Sequence, residues 1–135
     1  MSHPILSLQA ALVAALAADS GLTALTGEDA VFDAPPKGRR PPYVTVARHD
    51  MLPRDGDLAP GHDHRLLLHV WAADASRKAV LEMVDRVVAV ALGAALDGAL
   101  RVTHRQHERT DTAIDRQTGF ARAAVSLKFF TEPDG

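Results

Sequence analysis

Near the N-terminus, apolar residues recur at helical spacing: Ile5, Leu8, Leu12 and Leu16, with Val13 beside them. The spacing predicts a first helix. Pro4 suits its first turn, Ser2 or His3 its cap, and Gly21 its stop. A short second turn over Leu22 to Leu25 precedes Gly27. Val31 to Pro36 reads as a short extended piece ended by prolines, and Lys37 to Pro42 as a basic, proline-rich turn. Tyr43 to Ala47 is β-branched and aromatic, hence a strand. Asp50 to Asp63 shows no periodicity. It holds Pro53, Gly56, Pro60 and Gly61 among four aspartates and reads as the longest irregular loop. His64 to Ala72 alternates: Leu66, Leu68 and Val70 point one way, and Arg65, Leu67, His69 and Trp71 the other. Apolar residues on both faces place this strand centrally.

Asp74-Ala75-Ser76 offers caps for another helix, whose apolar stripe is Val80, Leu81, Val84, Val87, Val88, Ala91 and Leu92, ending at Gly93 or Gly98. Arg101 to Arg109 and Gly119 to Phe130 read as a hairpin, joined by a polar, turn-like Thr110 to Thr118. Thr131 to Gly135 reads as a frayed tail. This order predicts an α+β fold: a mostly antiparallel sheet with two helices packed on one face, as a single domain over residues 1–135.

Composition narrows the function classes. The 135 residues are 47% apolar and 24% charged, a globular mix that suits one domain. There is no cysteine, which removes disulfides, thiolate metal sites and a cysteine nucleophile together. The net charge of -2 gives no global basic field for nucleic acid or anionic lipid. Asp19, Arg86 and Asp97 interrupt the apolar stretches short of the ~20 residues that span a bilayer, so no membrane partner is expected. The start lacks a basic leader, and a cytoplasmic origin is expected. Aromatics are only 4%, so the core is thin in large side chains, and subunit contacts are expected to contribute to stability.

Histidines are the obvious candidates for chemistry. His62 and His64 share a strand face at i, i+2, as two metal ligands would, but no third ligand has suitable spacing. His104 and His107 are three apart and would point to opposite faces. There is no Gly-x-Ser-x-Gly elbow and no glycine-rich phosphate loop. The aspartates of the 50–63 segment lack calcium-loop spacing. The expectation is no enzyme, no cofactor and no metal.

Interaction residues are more promising. Arg101, Arg105 and Arg109 recur at i+4, so on a regular strand they share a face that meets phosphate or an acidic partner. Lys37, Arg39 and Arg40 form a second basic group. Residues 1–30 carry Asp19, Glu28 and Asp29 and neither Lys nor Arg, and such opposite patches serve a head-to-tail ring. Within the 50–63 segment, Met51 and Leu52 form an apolar pair, with Arg54 and Asp55 as a polar rim.

Pro4 to Leu12, Val31-Phe32-Asp33-Ala34-Pro35-Pro36, Pro42 to Val46, His69-Val70-Trp71-Ala72 and Phe129-Phe130-Thr131-Glu132-Pro133, in this order and spacing, resemble the tail-completion, or tail-terminator, proteins of long-tailed phages. The matching branch occurs in prophages and gene transfer agents. The resemblance implies a small α+β domain without catalytic motif. It implies a hexameric ring that caps the tail tube, halts its polymerisation and joins the tail to the head-side neck. The partners it implies are further copies of the chain, the tail tube protein, a neck stopper or adaptor, and DNA passing through the lumen without sequence-specific binding. Met51, Leu52, Arg54, Asp55, Arg101, Arg105 and Arg109 are the expected interface residues. Other head–tail joining or minor tail components, and a small cytoplasmic ligand-binding protein or enzyme, are the alternative readings.

Overall fold

A computed structural model describes residues 3–55, 60–96, 98 and 100–133, without the side chain of Asp55. Helix α1 spans Pro4–Ala17 and α2 Ser20–Thr26; β1 is Val31–Phe32, β2 Tyr43–Asp55 and β3 Pro60–Trp71; α3 is Arg77–Gly93, β4 Leu100–Ile114 and β5 Ala121–Pro133. The strands form one sheet in the order β1-β2-β3-β5-β4. The α+β expectation holds with two refinements. The short turn after α1 is a helix in its own right, giving three helices among the described residues. The two-residue β1 pairs parallel to β2, so the sheet is mixed rather than wholly antiparallel.

Side-chain caps set the helix starts. The imidazole of His3 accepts from the Ile5 amide, the carboxylate of Asp19 from Leu22, and the hydroxyl of Ser76 from Ala79, at 3.1, 2.8 and 3.0 Å. Gly21 does not stop α1: it lies inside α2, because Asp19 caps a new helix two residues earlier. A Cβ at Gly21 would stand 2.8 Å from Arg86 Nε, so glycine there lets Arg86 of α3 reach Asp19. That bond from Arg86, with the Leu22 amide, holds the Asp19 carboxyl below its usual pKa.

The helices cover one face of the sheet. Leu8, Leu12 and Leu16 of α1 and Val80, Met83, Val87 and Ala91 of α3 pack on Val44, Leu66, Leu68, Val70, Ala123, Val125, Leu127 and Phe129. Burying each leucine is worth about 1.5–3 kcal/mol relative to exposure. The alanines of β5 leave the core thin in aromatic mass, with Phe129 the one fully buried Phe, Tyr or Trp among the described residues. Among the described residues, no single helix is long and apolar enough to cross a membrane.

Two expected connections and the expected tail are shorter than the sequence predicts. β2 and β3 pair continuously from Tyr43↔Trp71 to Asp55↔Pro60, so most of the 50–63 segment is a hairpin arm; residues 56–59 lie outside the described part. The alternation was masked by a bulge at Ala47, between the Val46 and Arg48 pairings, which shifts the phase of every later residue. Pro53 is tolerated because β1 covers only Val44 and Thr45, leaving the far part of β2 as a free edge. Gly61 is used differently: a Cβ there would meet the Thr131 carbonyl oxygen at 3.3 Å. β4 continues through Thr110 to Ile114, and β5 takes in Thr131 to Pro133 of the expected tail.

Candidate functional site

The arm does not present Met51 and Leu52 as one patch. Met51 faces His64 on the helix-covered side, while Leu52 faces Asp63 on the open side and is 68% exposed. A strand sends successive side chains to opposite faces, so adjacent residues cannot share an anchor. Arg54 lies back over the open face. Its Nε is 3.1 Å from Asp63 Oδ1, and its guanidinium carbon is 4.3 Å from the Phe130 ring centre. Asp55 pairs with Pro60 at the end of the arm, and its side chain lies outside the described residues.

The three arginines of β4 are also divided. Two bulges, at Val102/His104 and His107/Arg109, interrupt the period of two between them. Arg101 pairs with Glu132 and Arg109 with Ser126, both on the open face. Arg105 is opposite Phe129, on the helix face. There Arg105 donates to the Ala91 and Ala94 carbonyls, at 3.3 and 2.5 Å, and so caps the C-terminus of α3. This contact ties Arg105 to the end of α3, and i+4 spacing alone could not reveal it. Arg101 is bonded to Glu132 and Arg109 to Asp111.

The open face carries further ion pairs, Arg48–Asp50 and Arg65–Glu108, both at 2.8 Å. Arg48, Asp50, Arg65, Leu67, Glu108 and Ser126 surround a shallow depression of about 330 Å³. Glu108 reaches it from the bulge of β4, across β5. Trp71, Leu67 and Phe130 are half-buried among these charges.

Beneath the arm lies a polar chain that the sequence did not reveal. Gln9 Nε2 is 3.1 Å from His49 Nδ1, His49 Nε2 is 2.8 Å from His64 Nδ1, and His64 Nε2 is 2.9 Å from Thr131 Oγ1. With the amide nitrogen facing His49, the direction of every bond is fixed. The amide only donates, so each imidazole accepts at Nδ1 and donates at Nε2, and both rings are neutral. Burial holds both rings neutral, pushing each pKa from 6.5 down to about 4. Asp50 opposes this at His49; at His64 the neighbouring His49, His62 and His3 reinforce it. His64 and Thr131 resemble a base and a hydroxyl nucleophile in distance alone. Both are fully buried beneath the arm. With both nitrogens of each ring engaged, neither has a free lone pair for a metal.

His62 shares the helix-side face with His64, as the i, i+2 spacing predicts, with ring centres 6.4 Å apart. Its Nδ1 is buried without a partner. Among the described residues, no group of three His, Asp or Glu is placed to hold a metal ion. His104 and His107 do fall on opposite faces, against Phe130 and Leu127.

The geometry is thus one of ion-paired surface, sheet edge and buried tie. A solved structure described as a virion of a native gene transfer agent (GTA) particle contains a chain of the same fold. The TM-score is 0.83 and the sequence identity 24%, over 97% of this chain and 99% of that one. No curated protein matches the chain. The family model described as tail completion protein gp17 matches residues 10–132. The chain therefore belongs to the tail completion protein gp17 family.

Proposed function

We propose that this protein is the ring-forming terminator of a phage-like tail. It caps the tube, stops its polymerisation and joins the tail to the head-side neck. Membership in the tail completion family carries the reading and makes the protein a structural component of a phage-like tail. The fold shared with a chain from a gene transfer agent virion supports a place in the particle. In this reading DNA passes the ring without base-specific contacts.

Two features favour a head-to-tail ring of identical subunits, six in number by the family resemblance. The sheet ends in two unlike free edges, β4 on one side and β2 beyond Val46 on the other. Unlike edges on one molecule suit heterologous contacts, which close into a ring when the rotation between neighbours closes. The arm supplies the second contact, downward to the tube or upward to the neck. Leu52 is its exposed apolar residue, with Met51 on the reverse side and Arg54 and Asp55 near the tip. Arg101 and Arg109 lie on the β4 side, where the neighbouring subunit approaches.

The test is to replace residues 54–61 by a two-residue turn. The hairpin stem, the buried histidines and the core remain, so the subunit folds. Tails in cells making this variant should be overlong or lack heads in electron micrographs. Particles with tails of normal length, joined to heads, would remove the assembly role from the arm.

A further inference from the structure

On the open face of the sheet, five arginines lie against carboxylates: Arg48, Arg54, Arg65, Arg101 and Arg109 take Asp50, Asp63, Glu108, Glu132 and Asp111. Arg122, on the same face at the start of β5, makes no such pair among the described residues. Its guanidinium carbon lies 6.0 Å from the Trp71 ring centre, and its Nε is buried without an acceptor. The side chain borders a pocket of about 380 Å³ with Ala113, Ile114, Asp115, Arg116 and Gln117. Arg116 is exposed and likewise makes no ion pair among the described residues. Among the described residues lining the pocket the one carboxylate is Asp115, whose Oδ2 accepts from the Thr118 amide and hydroxyl at 3.0 and 2.7 Å and is held in its own turn, with no ion pair to either arginine. Asp111, the nearest acid on β4, belongs to Arg109. A buried guanidinium N–H without an acceptor is unfavourable, and its planar fork suits a carboxylate.

We propose that Arg116 and Arg122 receive a carboxylate from a second copy of this chain, supplied by Glu28 or Asp29. The inference rests on the ring reading and names one of its contacts. A single register row, Val31–Val44–Val70–Ala123–Thr112, crosses all five strands. Glu28 and Asp29 lie just before Val31, at the β1 edge; Arg122 lies beside Ala123 on β5, the strand next to the β4 edge, and Arg116 beyond Thr112, after the end of β4. Both groups sit on the same side of that row, the side of Tyr43, Trp71 and Ala113. Subunits arrayed side by side therefore bring the acidic corner of one level with the basic pocket of the next. Glu28 and Asp29 are exposed and make no ion pair within the chain among the described residues. The basic residues of that edge, Lys37, Arg39 and Arg40, follow β1 rather than precede it, and Arg39 is held over the Phe32 ring at 5.7 Å.

The experiment uses the full chain with reciprocal charge reversals: Arg116→Glu with Arg122→Glu, and Glu28→Arg with Asp29→Arg. Circular dichroism melts report folding, and sedimentation and particle micrographs report assembly. Each pair of changes should weaken self-association roughly tenfold or more, and combining all four in one chain should restore it. Should the reversals impair folding, the neutral pair Arg116→Gln and Arg122→Gln should fold and show the same loss. Variants that melt and assemble like the parent overturn the contact while leaving the ring intact. A loss that the combined reversal does not restore also overturns it. A parent protein that is not cyclic in the particle overturns the ring reading, and this contact with it.

Discussion

His49 Nε2 lies 2.8 Å from His64 Nδ1, so two imidazoles on adjacent strands share one proton donor inside the protein. Gln9 and Thr131 close the chain at its ends, and four elements, α1, β2, β3 and β5, are thereby tied at one point. The tie sits at the base of the arm and fixes where the arm leaves the body.

Acid should loosen this tie. Both folded pKa values lie near 4, against 6.5 for an ordinary histidine. Between those values the unfolded chain binds more protons than the folded one, so stability rises with pH. The stabilisation is present above pH 6.5 and is lost as pH falls towards 4. Thermal melts across this window should show a falling Tm, and the slope should flatten when His49→Gln and His64→Gln are combined. An equal slope in that variant would assign the effect to other groups.

Thr131→Val keeps the shape of a fully buried residue but strips the acceptor from His64 Nε2. The orphaned N–H should cost about 1–3 kcal/mol in urea unfolding. An unchanged midpoint would show that the hydroxyl contributes nothing.

Arg105 and Arg109 should behave differently despite their equal spacing. Arg105→Gln removes a charged donor from the end of α3 and should cost about 0.5–2 kcal/mol. Arg109→Gln breaks an exposed pair with Asp111 and should stay within about 0.5 kcal/mol. Chemical denaturation of the two variants side by side checks the contrast.

Gly61→Ala pushes a methyl towards the Thr131 carbonyl, whose strand cannot yield without disturbing the His64 bond. A cost of about 1–3 kcal/mol is expected, as for overpacking. Gly98→Ala meets no atom within 4 Å and should leave the Tm almost unchanged. Equal melts for the two variants would show that β3 and β5 can part freely.

The sequence by itself determined much of this protein. Helical spacing from Ile5 to Leu16 and from Val80 to Leu92, and alternation over His64 to Ala72, are local consequences of 3.6- and 2-residue periods. They sufficed for the fold class, the helix-covered face and the centrality of β3. The ordered short motifs sufficed for the family. Tertiary structure alone decided the rest. Bulges at Ala47, Thr103 and Glu108 reset the side-chain phase, separating Arg105 from Arg101 and Arg109 and turning an expected loop into an arm. The chain Gln9–His49–His64–Thr131 joins residues up to 122 positions apart (131 − 9), and no spacing rule links them. Periodicity records which way a side chain points from its own strand. What it meets there depends on register with strands formed elsewhere in the chain, and one inserted residue reverses it.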